Sequence, residues 1–378
     1  MSPGSDYIKF MTICYNLADI LRSLKPMSAF PGSKREIVSW LLEKDNPSVR
    51  YWTLTEILLG PEHNAEVREA KAAIMATGVV PKILSKHHPD GFWVDRQNFY
   101  MKTKYKGTVW QAILPAELPA DGSDKRVQSA CEFLLAHSQN QETGGFAYRS
   151  SPEGDGDKNS IIPCLTGNVT WSLIRFGYTE DPRMQKALDW IVRHQRFDDG
   201  DDEAPRDWPY RREKCWGRHT CMLGIAKALK ALSEIPPGKR SGAVQSAIER
   251  AAAFILKHHV FMRSHNLNMI ANPDRLCLGF LLFWQTDILE LVRLLLKNGI
   301  RDKQMDDAVE LIFSKQDRDG RRPLEKTFNG RMSANIEAKD DPSKWITGRA
   351  RQALPFYEGS SQLKVQAAKE SGYADEKK

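Results

Sequence analysis

Long apolar runs are missing from this chain of 378 residues. The longest, over residues 276–284, is far short of the roughly 20 residues that a membrane-spanning helix needs. No basic segment followed by an apolar one opens the chain, so no signal peptide is expected. Cysteine is sparse: Cys14, Cys131, Cys164, Cys215, Cys221 and Cys277 are scattered, without the close spacing of a disulfide framework. A chain of this size needs no disulfide staples, so the expectation is reduced thiols in a cytoplasmic setting. Strand-like alternation of apolar and polar residues is absent at any length. Zinc-finger, RNP and basic-zipper patterns are absent too, and Lys and Arg are dispersed. That excludes nucleic acid as the expected partner despite a net charge of +7. The charge still suits an anionic ligand, or peripheral contact with an anionic membrane.

What is present is a repeat. Helix-opening segments align on Val67, Val127, Met184, Val244 and Met305, at spacings of 60, 57, 60 and 61 residues. Turn signals close these helices, among them Asp90-Gly91, Asp199-Gly200 and Asp319-Gly320, where glycine supplies a positive φ. A variable loop follows each, then a more apolar helix. The apolar helices are expected over residues 49–59, 107–118, 165–176, 217–232, 286–296 and 345–354, with Pro115 kinking or shortening the second. Six amphipathic helices alternating with six apolar ones predict an all-α fold, an (α/α)6 toroid with the apolar helices inside. Residues 1–32 are read as an N-terminal helix and linker, 33–358 as the toroid, and 359–378 as a disordered tail.

The densest cluster of reactive side chains is Lys214-Cys215-Trp216-Gly217-Arg218-His219-Thr220-Cys221, just before the fourth apolar helix. The same residue types also serve as buried small hydrophobes and a capping imidazole. If the inner helices run parallel, their N-termini meet at one mouth of the ring. Their dipoles, with Lys104, Lys106, Arg218 and Lys344, would form a funnel for a diphosphate or carboxylate.

The Gln-x-x-Asp-Gly turns closing helix pairs of about 60 residues resemble the repeats of the squalene cyclase and protein prenyltransferase β-subunit superfamily. The resemblance covers roughly residues 35–356. It includes Lys104-Tyr105-Lys106-Gly107-Thr108-Val109-Trp110-Gln111, Cys164-Leu165-Thr166-Gly167-Asn168, Cys215 to Cys221, and Ser343-Lys344-Trp345-Ile346-Thr347. It implies a terpenoid cyclase-like enzyme acting on a polyprenyl substrate. One barrel's length, where squalene and hopene cyclases join two, argues against polycyclisation of a long substrate. One fold hosts many chemistries, so two alternatives stand: a polysaccharide lyase- or hydrolase-like toroid, and a non-catalytic ligand-binding or scaffold toroid.

Three groups of residues are candidates for the chemistry. Asp199-Gly200-Asp201-Asp202 is similar to the Asp-x-Asp-Asp acid motif of class II terpenoid cyclases. The resemblance makes Asp201 the proton donor, with Asp199 and Asp202 beside it. The same residues also fill the repeat's turn slot. Cys164, Cys215 and His219 offer thiolate and imidazole ligands suited to zinc. Prenyltransferase β-subunits carry an Asp-Cys-His zinc on this rim, though their motif is not matched residue by residue. His219 alone, or with Cys215, is also a candidate acid–base group. Lys104, Tyr105, Trp110, Trp171, Trp216, Arg218, Lys344 and Trp345 are the candidate substrate-binding residues, the aromatic faces serving cation–π stabilisation.

Overall fold

The computed structural model describes residues 34–200, 215 and 220–354. It is mainly helical, with a few short strands. The helices are α1 (Lys34–Leu41), α2 (Pro47–Trp52), α3 (Ala65–Ala76), α4 (Val79–Leu84), α5 (Thr108–Glu117), α6 (Lys125–His137), α7 (Pro163–Arg175), α8 (Pro182–His194), α9 (Met222–Leu232), α10 (Gly242–Lys257), α11 (Ile288–Lys297), α12 (Asp306–Ser314) and α13 (Lys344–Ala353). A π-helical turn, Thr53–Ile57, continues α2. The predicted N-terminal helix and C-terminal tail fall outside the described residues.

Local sequence accounts for most helix starts. Asn46, Asn64, Asp124, Asp181, Ser241, Asp287 and Ser343 each accept a hydrogen bond from a backbone N–H of the first turn. Pro47, Pro163 and Pro182 occupy first-turn positions that need no donor. The repeat-defining Val67, Val127, Met184, Val244 and Met305 are all buried. They belong to α3, α6, α8, α10 and the 3-10 turn before α12, whose other faces reach solvent. In contrast, every residue of α5 is buried, as is every residue of α9 from Gly224 on. A helix buried all round belongs to an interior layer.

Contacts order the layers. The pairs α1/α13, α2/α3, α5/α6, α7/α8, α9/α10 and α11/α12 pack together. Among the buried helices, α5 meets α7, α7 meets α9, α9 meets α11, α11 meets α13, and α13 meets α2 and its π turn. The Ser48 hydroxyl of α2 donates to the Leu118 carbonyl at the end of α5, at 3.1 Å. Each buried helix thus has two buried neighbours, and the last touches the first.

Three expectations need correction. The fourth buried helix starts at Met222, not near Gly217; Cys221 caps it in an extended conformation. Cys215 therefore lies off α9. Short antiparallel strands occur: β1 (Met262–Arg263) with β2 (Asn266–Ile270), and β3 (Arg322–Pro323) with β4 (Pro342–Ser343). Most are too short to show a period of two. Finally, the space between the N-terminal ends of the buried helices is filled. The segment 278–287 runs into it: Phe280 stacks on Trp345 at 4.5 Å and Phe283 packs edge-on to Trp110 at 5.1 Å. The Phe283 and Leu282 carbonyls accept from Asn168 and Lys227 at 2.6 and 2.9 Å.

Candidate ligand cavity

Helical spacing points several polar and aromatic residues of the buried helices toward one space. Residues three or four apart share a helix face. Trp52 and Glu56, Trp171 and Arg175, Lys230 and Glu234, Glu290 and Arg293, Trp345 and Arg349 all follow that rule. With Glu117 they line a cavity of about 270 Å³ among the buried helices, mostly toward their C-terminal ends, with Glu290 and Trp345 reaching it from the first turns of α11 and α13. A second space of about 430 Å³ adjoins it, sharing Trp52, Glu56, Ala116, Pro119 and Arg175.

The wall is charged and almost fully paired. Glu117 accepts from both Lys230 and Arg349. Fully buried Lys227 donates to both Glu290 oxygens, at 2.8 and 2.9 Å, and Lys230 lies 3.6 Å from Glu290. Across three repeats, Trp171 Nε1 and Lys297 Nζ both donate to Glu234 Oε1, at 3.1 and 2.7 Å. Those three residues are equivalent positions, 63 residues apart at each step. Lys230 Nζ also sits 3.7 Å from the centre of the Trp171 ring, a close cation–π contact.

Electrostatics fix the protonation of this wall. Burial alone would raise the Glu117 carboxyl, but Lys230 and Arg349 outweigh it and hold it well below its usual range. Glu290 and Glu234 are likewise lowered: burial opposes, and Lys227 with Lys230, or Lys297 with Arg175, prevail. These three carboxylates are ionised at neutral pH. They suit stabilising positive charge, not donating a proton. One buried acid that is raised, Asp287, goes to about 6 because of burial, but it caps α11 with both oxygens taken by backbone N–H groups.

The residues singled out from sequence divide. Trp171 and Trp345 line the cavity. Tyr105 and Trp110 belong to a packed aromatic cluster with Tyr100, Phe283 and Phe328 on the filled side. Lys104 is exposed, its Nζ near the Tyr105 and Trp284 rings. Lys344 is spent on Glu43 and Asp45, at 2.8 and 2.5 Å. Of the cations expected at the helix N-termini, Lys344 is thus taken by ion pairs and Lys104 lies against aromatic rings. Asp199 accepts from Ser264 and contacts His258 at 3.2 Å, tying a turn to the end of α10. Burial first, then Cys221 and Cys215, push the Cys164 thiol up, which favours neutral thiol over thiolate. Among the described residues no group of three or more His, Cys, Asp or Glu could hold a metal ion. Asp201, Asp202, Trp216, Arg218 and His219 lie outside the described residues.

The sequence reading missed Glu117, Lys227, Lys230, Glu290, Arg293 and Arg349. The signal was present: charged residues at helical spacing inside otherwise apolar helices, where charge is costly unless paired.

No protein-family model matches the chain, and no curated protein matches it. Solved structures with some similarity include a protein from Actinoplanes, 17% identical over 82% of this chain and 89% of that one, TM-score 0.40. The type II terpene cyclase MstE from Scytonema, without ligand, is 18% identical over 82% of this chain and 87% of its own, TM-score 0.38. These identities and scores are too low to assign a family or a reaction.

Proposed function

We propose that the chain is an (α/α)6 toroid that binds an isoprenoid-type ligand in the cavity among its inner helices, as a terpenoid cyclase-like enzyme. One observation carries the reading: indoles from three different helices, Trp52, Trp171 and Trp345, meet ionised carboxylates around one cavity. Aromatic faces and fixed carboxylates together favour a ligand that develops positive charge on carbon, each cation–π contact contributing about 0.5–2 kcal/mol. The closed chain of contacts among the buried helices supports the toroid. The ionised Glu117, Glu234 and Glu290 leave proton donation to a group outside this wall, and Asp201 keeps that role within the proposal.

The alternation of carboxylates with Arg and Lys favours a second reading, a polar ligand such as a sugar held by paired charges. Mass spectrometry of small molecules released from purified protein distinguishes the two. Ala116→Trp narrows the cavity and serves as the comparison. A polyprenyl species present in the wild type and depleted in the variant supports the first reading. A carbohydrate with that behaviour supports the second. The same molecules in both proteins would reject the cavity as the site.

A further inference from the structure

Arg293 differs from the other cations of the cavity wall. Lys230, Arg349, Lys297 and Arg175 each have a carboxylate within 4 Å, between Glu117, Glu234 and Glu290. Arg293 has no carboxylate partner among the described residues. Among the described residues its side chain donates from Nη2 to the neutral side-chain oxygen of Gln352, at 2.8 Å. Its Nε is buried without a partner. Nearby Glu56 accepts from the Gln352 amide at 3.0 Å instead. Burial first, then Arg349, lowers the Arg293 guanidinium to about 10, against the pull of Glu117, Glu290 and Glu56. The guanidinium lies 5.9 Å from the Trp52 ring centre, so an anchoring cation and an apolar face adjoin.

A partly buried cation with no carboxylate in ion-pair contact among the described residues is incompletely compensated, and a guanidinium fork matches carboxylate and phosphate oxygens. We infer that Arg293 anchors the acidic head group, carboxylate or phosphate, of a ligand whose apolar body lies against Trp52. This rests on the cavity being the ligand site. It adds the ligand's charge, its orientation and the residue that fixes them.

Isothermal titration with inorganic pyrophosphate and with octanoate tests it, each arm reporting one head-group chemistry. Wild-type protein should bind at least one probe, more weakly as salt rises. Arg293→Gln should weaken that binding tenfold or more, as expected for losing a charge-assisted hydrogen bond. Arg293→Lys should recover part of it. Lys82→Gln, an exposed lysine on α4, should bind as the wild type does. Thermal melting separates anchoring from support: Arg293→Gln should melt no lower than the wild type, because no ion pair is broken. Failure of both probes to bind the wild type, equal binding by Arg293→Gln, or a lowered melt would overturn the inference. If Ala116→Trp loses the retained ligand while Arg293→Gln binds probes normally, Arg293 is rejected and the cavity stands. If neither variant changes binding, the cavity itself is rejected.

Discussion

Glu117 shows what a single residue does in this wall. It is buried at the end of α5 and accepts from Lys230 of α9 and Arg349 of α13. One carboxylate therefore joins three helices that are far apart in sequence. Replacing it by glutamine leaves two buried cations short of a counter-charge, which should cost about 3–5 kcal/mol at neutral pH. The cost depends on pH with a definite sign. The Glu117 pKa is lower in the folded chain than in the unfolded one, so its stabilisation is complete above about pH 4.5 and declines below it. Denaturant melts of wild type and Glu117→Gln should converge as pH falls below that point. A constant gap down to pH 3 would contradict the ionised pair. Sequence reading did not find this residue, because pattern reading scores an inner helix by its apolar residues. The pairing that makes a buried charge tolerable comes from helices more than 100 residues away.

The helices themselves were more legible. The repeat located Val67, Val127, Met184, Val244 and Met305 on the buried sides of their elements, because amphipathic periodicity is a local property. The boundary before α9 was not legible: the apolar pattern carries the expected helix back to residue 217, whereas Cys221 is extended and α9 starts at Met222. Helix-to-helix distance was hidden too. A side chain at Gly167 of α7 would come within 2.6 Å of the Lys227 carbonyl group on α9, backbone against which nothing can yield. Gly167→Val should therefore cost about 3 kcal/mol by overpacking. Gly238→Ala, where nothing lies within 4 Å, should stay within about 0.5 kcal/mol of wild type. Equal effects of the two in urea unfolding would reject the close α7–α9 approach.

At the scale of the molecule, the two ends of the layer of buried helices differ. Trp110, Tyr105, Phe283 and Phe328 pack the N-terminal end, and segment 278–287 closes it. Trp52, Trp171, Trp345 and a network of charges surround open space at the other end. The sequence alone drew attention to the N-terminal end, since helix N-termini and free lysines suggest an anion site. An inserted loop and the Lys344 ion pairs are tertiary features that no local pattern reports. The most direct measurement is photolabelling with a prenyl chain carrying a diazirine, followed by peptide mapping. Labels on peptides containing Trp52, Trp171, Arg293 or Trp345 are predicted. Labels confined to peptides around Lys104 and Cys215, with none on those four residues' peptides, would contradict the account.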